Sequence, residues 1–313
     1  MEKQLEVCNL EFQWPGESMV IGPYTFVPVE DYRERFLALQ HLVSGSGGRN
    51  GKVEACTGSH QITGVVHCPD EENPAALGWG HDAPTELDDI LLLLSMCTRR
   101  KVFVLDSEET EEPVIIADHR MLHYGGGLRL SLGQVKRTDE SGHEKYSIDL
   151  EDGLTKVNHL IRSSTWRSTY GQGGFLHLFA AACHRQALET SFVTCWTIWE
   201  HLYSLLNATK NKTKNKTKIR RISARKKIVY ILKHYGVKQS VPAAHEEKLK
   251  ELVGIRNTLV HHGQFSSGES QEVADIFIRL TEIILASVLG LDPSNVFSAE
   301  ERFDRFLNNQ HLI

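Results

Sequence analysis

The sequence predicts an α+β N-terminal domain followed by an all-α antiparallel helical bundle. Two observations carry that reading. Short β-type apolar runs separated by turn residues occupy the chain to about residue 165, and from Gly173 apolar residues recur at three- and four-residue spacing instead. Length agrees, because 313 residues make about two domains at roughly 150 residues each. The expected organisation is a mixed domain over 1–165, a bundle over 173–290 with a basic loop at 207–228, and a helical tail over 291–313.

In chain order, Glu6 to Gln13 and Met19 to Val29 read as strands broken by Pro15-Gly16. Tyr32 to Leu42 reads as a short helix that runs into the glycine-rich stretch Ser44 to Gly51. Gln61 to His67 reads as a strand. Thr85 and Asp88 form a T-x-x-D capping pattern ahead of the apolar run Leu87 to Met96, so a buried helix is expected there. Val102 to Leu105 and Val114 to Ala117 read as short strands, and Gly125 to Gly127 as a turn. In the second half, Leu188, Phe192, Cys195, Trp196, Trp199, Leu202, Tyr203 and Leu206 form one helical stripe. Ile228, Ile231, Leu232 and Tyr235 suggest a second helix stopped at Gly236. A third runs from about His245 to His262 and stops at Gly263. A fourth begins near Ser270 and stops at Gly290. Ser298 with Glu301 opens a short terminal helix.

Composition excludes several classes. With 41% hydrophobic and 24% charged residues and a mean hydropathy of −0.29, the chain is neither disordered nor a coiled-coil rod. No apolar run approaches the roughly 20 residues that a membrane-crossing helix needs. The start, Met1-Glu2-Lys3-Gln4, lacks the apolar core of a secretory signal. Six scattered cysteines without a C-x-x-C pair are expected to be reduced and buried. The expectation is a cytoplasmic protein with no membrane partner.

The net charge of −5 conceals a local excess. Residues 207–228 hold ten Lys or Arg and no acid, among them Lys210, Lys212, Lys214, Lys216, Lys218, Arg220 and Arg221. Taking those ten from the 35 Lys and Arg leaves 25 against 40 Asp and Glu. A basic segment on an acidic body points to a polyanion bound at one place. Its K-N-K-T repeat cannot build a core, so the segment reads as a loop. Two readings of it stand side by side: a solvated connection, or an arm that holds an RNA backbone.

The chemistry concentrates at the end of the third bundle helix, in Arg256-Asn257-Thr258-Leu259-Val260-His261-His262-Gly263. Arg256 continues the apolar line of Leu249, Leu252 and Val253, and a cation emerging there needs a carboxylate, an anionic ligand or an interface. Asn257 and His261, four residues apart, share a neighbouring face. Both histidines lie in the last turn, where the negative end of the helix dipole favours imidazolium. Together they offer a fixed cation, a proton-transfer group and a hydrogen-bonding amide, the parts that phosphodiester cleavage uses. Glu200, Glu247 and Glu251 offer the blander alternative, an ion pair with Arg256 at a capped helix end.

At these residues the chain resembles the HEPN superfamily and, within it, the Apea-like HEPN group of bacterial defence proteins. Arg256-Asn257-x-x-x-His261 matches that family's signature, and Trp199-Glu200-His201-Leu202 is similar to the aromatic and glutamate pattern of its upstream helix. The resemblance covers about 173–290. It implies a metal-independent endoribonuclease with no cofactor, in bacterial antiviral defence or as a toxin. Such proteins form homodimers through the bundle, with signature helices facing each other. By resemblance, Arg256 would bind the scissile phosphate and Asn257 would orient the pair. His261 would act as general acid or base for attack by the RNA 2′-hydroxyl, giving 2′,3′-cyclic phosphate ends. His262 exceeds the minimal signature and is a second candidate for either role. The first domain would sense a trigger, such as a regulatory protein or a phage component, or restrain the nuclease. The alternative is a catalytically inactive HEPN module that binds RNA or a protein.

Other signals are rejected. The stretch Ser46 to Val53 lacks the first glycine and the hydroxyl of a P-loop. Cys56, His60, His67 and Cys68 lack zinc-ligand spacing, and Arg120 replaces the glutamate of H-E-x-x-H between His119 and His123. The aromatic stripe at 192–199 reads as core.

Overall fold

The computed structural model describes residues 3–43, 61–69, 85–98, 101–105, 127–183, 188–210, 223–235, 243–265 and 268–291. It divides into two compact units, one formed by 1–125 with 132–159 and the other by 126–131 with 160–313.

The first unit is built on an antiparallel sheet. Its strands are β1 (Lys3–Cys8), β2 (Met19–Ile21), β3 (Tyr24–Pro28), β4 (Ile62–Cys68) and β5 (Phe103–Leu105), in the order β2-β3-β4-β1-β5. α1 (Tyr32–Val43) follows β3, and α2 (Glu86–Thr98) precedes β5. β2 and β3 form a hairpin in which Ile21 pairs with Tyr24, leaving Gly22 and Pro23 as the loop. Gly22 has φ +57°, the first-position geometry that a tight hairpin turn requires and glycine supplies. The Gly22 N–H donates to Thr155 Oγ1 at 3.0 Å.

The first expected strand is shorter than the sequence suggests. β1 ends at Cys8 because Asn9 adopts φ +60°, outside the strand region. The Asn9 amide makes that bend specific: Nδ2 donates to the Lys101 carbonyl at 3.0 Å, and Oδ1 accepts from Gln61 N–H at 3.1 Å. Leu10 and Phe12 stay buried beyond the bend, their N–H groups donating to Thr63 Oγ1 and the Tyr32 hydroxyl.

α2 starts where the capping pattern places it. Asp88 N–H donates to Thr85 Oγ1 at 3.2 Å, and Thr85 N–H returns a bond to Asp88 Oδ2 at 2.8 Å. The helix buries Leu87, Ile90, Leu91, Leu93 and Leu94. Thr85→Ala is expected to remove the N-cap acceptor and cost about 1 kcal/mol, read as a lower denaturant midpoint with an unchanged slope. An unaltered midpoint would mean the cap contributes nothing.

β6 (Gln134–Thr138) and β7 (Glu144–Ile148) form a separate hairpin, then α4 (Leu150–Arg162) begins. Asp139 organises its turn by accepting from Ser141 and His143 N–H at 3.0 and 2.9 Å. Those bonds, led by His143, hold its carboxyl below the usual carboxylate range.

The second unit is helical throughout its described residues: α3 (Gly127–Ser131), α5 (Ser164–Tyr170), α6 (Gly174–Cys183), α7 (Leu188–Lys210), α8 (Ala224–His234), α9 (Ala243–His262) and α10 (Gly268–Val288). Gly127, read as part of a turn, therefore opens a helix. α7 packs against α5, α6, α8, α9 and α10. In α10 every residue from Leu280 to Ala286 is buried. Trp166 Nε1 donates to the Val288 carbonyl at 3.0 Å and satisfies one of the terminal acceptors of α10. The chain thus combines α+β character with a helical second unit. No helix among the described residues is long and apolar enough to cross a membrane. Val114 to Ala117, Gly236 and the helix expected after Ser298 lie outside the described residues.

Candidate functional site

The site candidates occupy the last two turns of α9. Leu249, Leu252, Ile255 and Leu259 bury the inner face of this helix, and Val253 is half-buried. The buried line therefore runs through Ile255 and Leu259 instead of Val253, and Arg256 sits on its flank, half-buried. Asn257, His261 and His262 are exposed. Gly263 stops the helix at φ +73°, its N–H donating to the Leu259 carbonyl at 2.8 Å. That stop leaves both imidazoles at the end of the helix, facing solvent.

The Arg256 Nη1 group donates to Asn257 Oδ1 at 3.3 Å. Among the described residues Arg256 forms no ion pair. Glu200, one of its three expected carboxylates, pairs with Lys227 at 3.3 Å. The ion-pair alternative therefore loses that partner. The side chain of Glu247 lies outside the described residues. The His261 and His262 rings have centroids 6.5 Å apart and planes at 64°.

Helix phase limits what one chain assembles. At 3.6 residues per turn, positions five apart lie about 140° apart around the axis, and positions four apart about 40°. Arg256 and His261 therefore leave α9 in different directions, while Asn257 and His261 share a face. The structure joins Arg256 to Asn257 and sets His261 beside His262. It does not join Arg256 to His261 in the single chain. Sequence reading missed Val260, whose side chain is 52% exposed beside these groups. The signal was available, since Val260 falls off the Leu252, Ile255, Leu259 stripe.

Trp199 and Leu202 are buried on α7, and Trp199 Nε1 donates to Thr281 Oγ1 at 2.8 Å. Its ring lies 5.1 Å from that of Phe277. Glu200 and His201 point outward, and the His201 ring lies 6.2 Å from that of Phe175.

The basic segment is only partly a loop. Residues 207–210, including Lys210, form the end of α7, and Ala224 to Ile228 open α8, with Ile228 buried. Apolar residues at both edges draw the flanks into helices, which corrects the expected 207–228 loop. Lys212, Lys214, Lys216, Lys218, Arg220 and Arg221 lie outside the described residues. Lys227 is committed locally, to Glu200 and over the Tyr203 ring at 5.7 Å. Ser223 caps α8 by accepting from Lys226 N–H.

Of the minor signals, Ser46 to Val53, Cys56, His60, His119 and His123 lie outside the described residues. No group of three or more metal-ligating side chains occurs among the described residues. Cys8, Cys68, Cys97 and Cys195 are buried. Burial pushes the Cys195 thiol up to about 12, so it stays protonated and is no nucleophile. No protein-family model, curated protein or solved structure matches this chain.

Proposed function

We propose that the chain is a metal-independent endoribonuclease of the HEPN type, active as a homodimer in bacterial defence or as a toxin. One observation carries the reading: a guanidinium with no ion-pair partner among the described residues lies at the same helix end as two solvent-facing imidazoles. In this reading Arg256 holds the scissile phosphate and offsets its developing charge, and His261 transfers a proton. Asn257, already bonded to Arg256, fixes the direction of the guanidinium. Because Arg256 and His261 diverge on one helix, a facing copy of α9 brings one chain's arginine toward the other's histidine. The first unit acts as the sensor or restraint. A second reading, an inactive RNA-binding or protein-interaction module, draws on Val260, an apolar side chain left open to solvent beside the site.

The test is incubation of purified protein with mixed RNA in EDTA, followed by analysis of the ends. Fragments with 2′,3′-cyclic phosphate and 5′-hydroxyl ends are expected. Intact RNA, or cleavage abolished by EDTA, would sink the proposal. Assembly has its own test: an Arg256→Ala chain mixed into wild type should lower activity per wild-type chain, and an active strict monomer would contradict the composite site.

The basic segment supplies affinity in this reading. Each phosphate that Lys210, Lys212, Lys214, Lys216 or Lys218 neutralises should contribute roughly −0.7 to the slope of log K against log salt for single strands. Replacing these five with Gln should weaken RNA binding and flatten the slope, with little change in rate at saturating RNA. An unchanged slope would reduce the segment to a solvated connection.

A further inference from the structure

The two histidines at the end of α9 are adjacent in sequence and both exposed. Their ring centroids stand 6.5 Å apart and their planes diverge by 64°. An imidazole nitrogen reaches an oxygen at about 2.6–3.2 Å when it transfers a proton. Two rings at this separation can therefore address two different oxygens bonded to one phosphorus. The neighbouring groups cannot share that work: a guanidinium keeps its proton at neutral pH, and the Asn257 amide does not titrate. Val260 carries no polar group. Among the described residues of this helix end, His261 and His262 are the side chains able to take up and release a proton near neutral pH.

We infer that His261 and His262 of one chain form a general base and general acid pair acting on a single phosphodiester of RNA. The inference rests on the ribonuclease reading and assigns the proton path within it. Neutral His261 takes the proton of the ribose 2′-hydroxyl while that oxygen forms its bond to phosphorus. The bond from phosphorus to the 5′-oxygen breaks with its electron pair on the oxygen, and the imidazolium of His262 protonates it. His261 ends as imidazolium and His262 as neutral imidazole. Proton exchange with water resets both. The need for a 2′-hydroxyl makes the substrate RNA and excludes DNA. Arg256, projecting elsewhere on the helix, serves phosphate binding and takes no part in proton transfer.

The experiment compares full-length wild type, His261→Ala and His262→Ala on two oligonucleotides: natural RNA, and RNA with sulfur replacing the 5′-oxygen at the cleavage position. Both side chains are exposed, so both variants should fold, and a matching thermal transition confirms it. On natural RNA each variant should lose on the order of 10²–10⁴ in rate. A thiol with a pKa of about 8.5 leaves as the thiolate without needing a proton. On the sulfur substrate His262→Ala should therefore return to within about tenfold of wild type, while His261→Ala stays slow. A His262→Ala chain that cuts natural RNA at the wild-type rate, or two variants that respond alike to sulfur, would overturn the pair and leave the ribonuclease reading standing. Wild type that cuts neither substrate would overturn both.

Discussion

Arg256→Ala and His261→Ala should each reduce RNA cleavage by roughly 10²–10³, the range seen when a group stabilising transition-state charge is removed. Neither change should unfold the protein. His261 is exposed, and Arg256 is half-buried with its one hydrogen bond among the described residues to its neighbour Asn257, so truncation there leaves no buried charge behind. On the ribonuclease reading, stability and activity should therefore separate at these positions. The measurement is single-turnover cleavage at saturating RNA, paired with a thermal transition for each variant. Arg256→Lys keeps a cation but loses the planar fork, so it should recover little of the rate if phosphate binding is bidentate. Full activity in His261→Ala would move proton transfer to His262 alone or remove this helix end from the chemistry.

Trp199→Ala should have the largest effect on stability. Trp199 is buried on α7, packs edge-tilted on Phe277 at 5.1 Å, and donates from Nε1 to Thr281 Oγ1 at 2.8 Å. Truncation leaves a cavity between α7 and α10, and such changes cost about 3–5 kcal/mol. Thr281 keeps its own donation to the Phe277 carbonyl at 2.8 Å, so the loss is mainly packing. Trp199→Phe keeps an aromatic ring and removes the N–H, and should cost less than the alanine change. Denaturant unfolding followed by helical signal reads both. A shift below about 1 kcal/mol for Trp199→Ala would show that the site collapses without a cavity.

Much of the helical structure was legible because its signals are local. The α7 stripe, the glycine stops at 263 and 290, and the Thr85 box each specify structure within one or two turns. The β6–β7 hairpin was not legible. Gln134-Val135-Lys136-Arg137-Thr138 is mostly exposed, and without a buried face a strand leaves no alternation to detect. α4 was missed although Leu150, Leu154, Val157 and Ile161 are buried at helical spacing. That signal was present and unread. The end of β1 depended on Asn9 bonding to Lys101 and Gln61, partners far away in sequence. The helix that carries Arg256, Asn257, His261 and His262, and its end at Gly263, were readable. The exposure of the imidazoles was not, because it depends on which side of α9 its neighbours cover. The divergence of Arg256 from His261 was calculable from their spacing alone.

The buried run from Leu280 to Ala286 in α10 has a dynamic consequence. Backbone amides exchange with solvent through local openings where packing is thin, and only through global unfolding where a segment is surrounded. The amides from Leu280 to Ala286 belong to the second kind, since every side chain there is buried. The last turn of α9 belongs to the first, with Val260, His261, His262 and Gly263 all exposed. Deuterium should therefore enter the end of α9 long before the middle of α10. The end of α9 can therefore unwind and close again while the buried stretch of α10 stays intact, so a local rearrangement there does not cost the protein its fold.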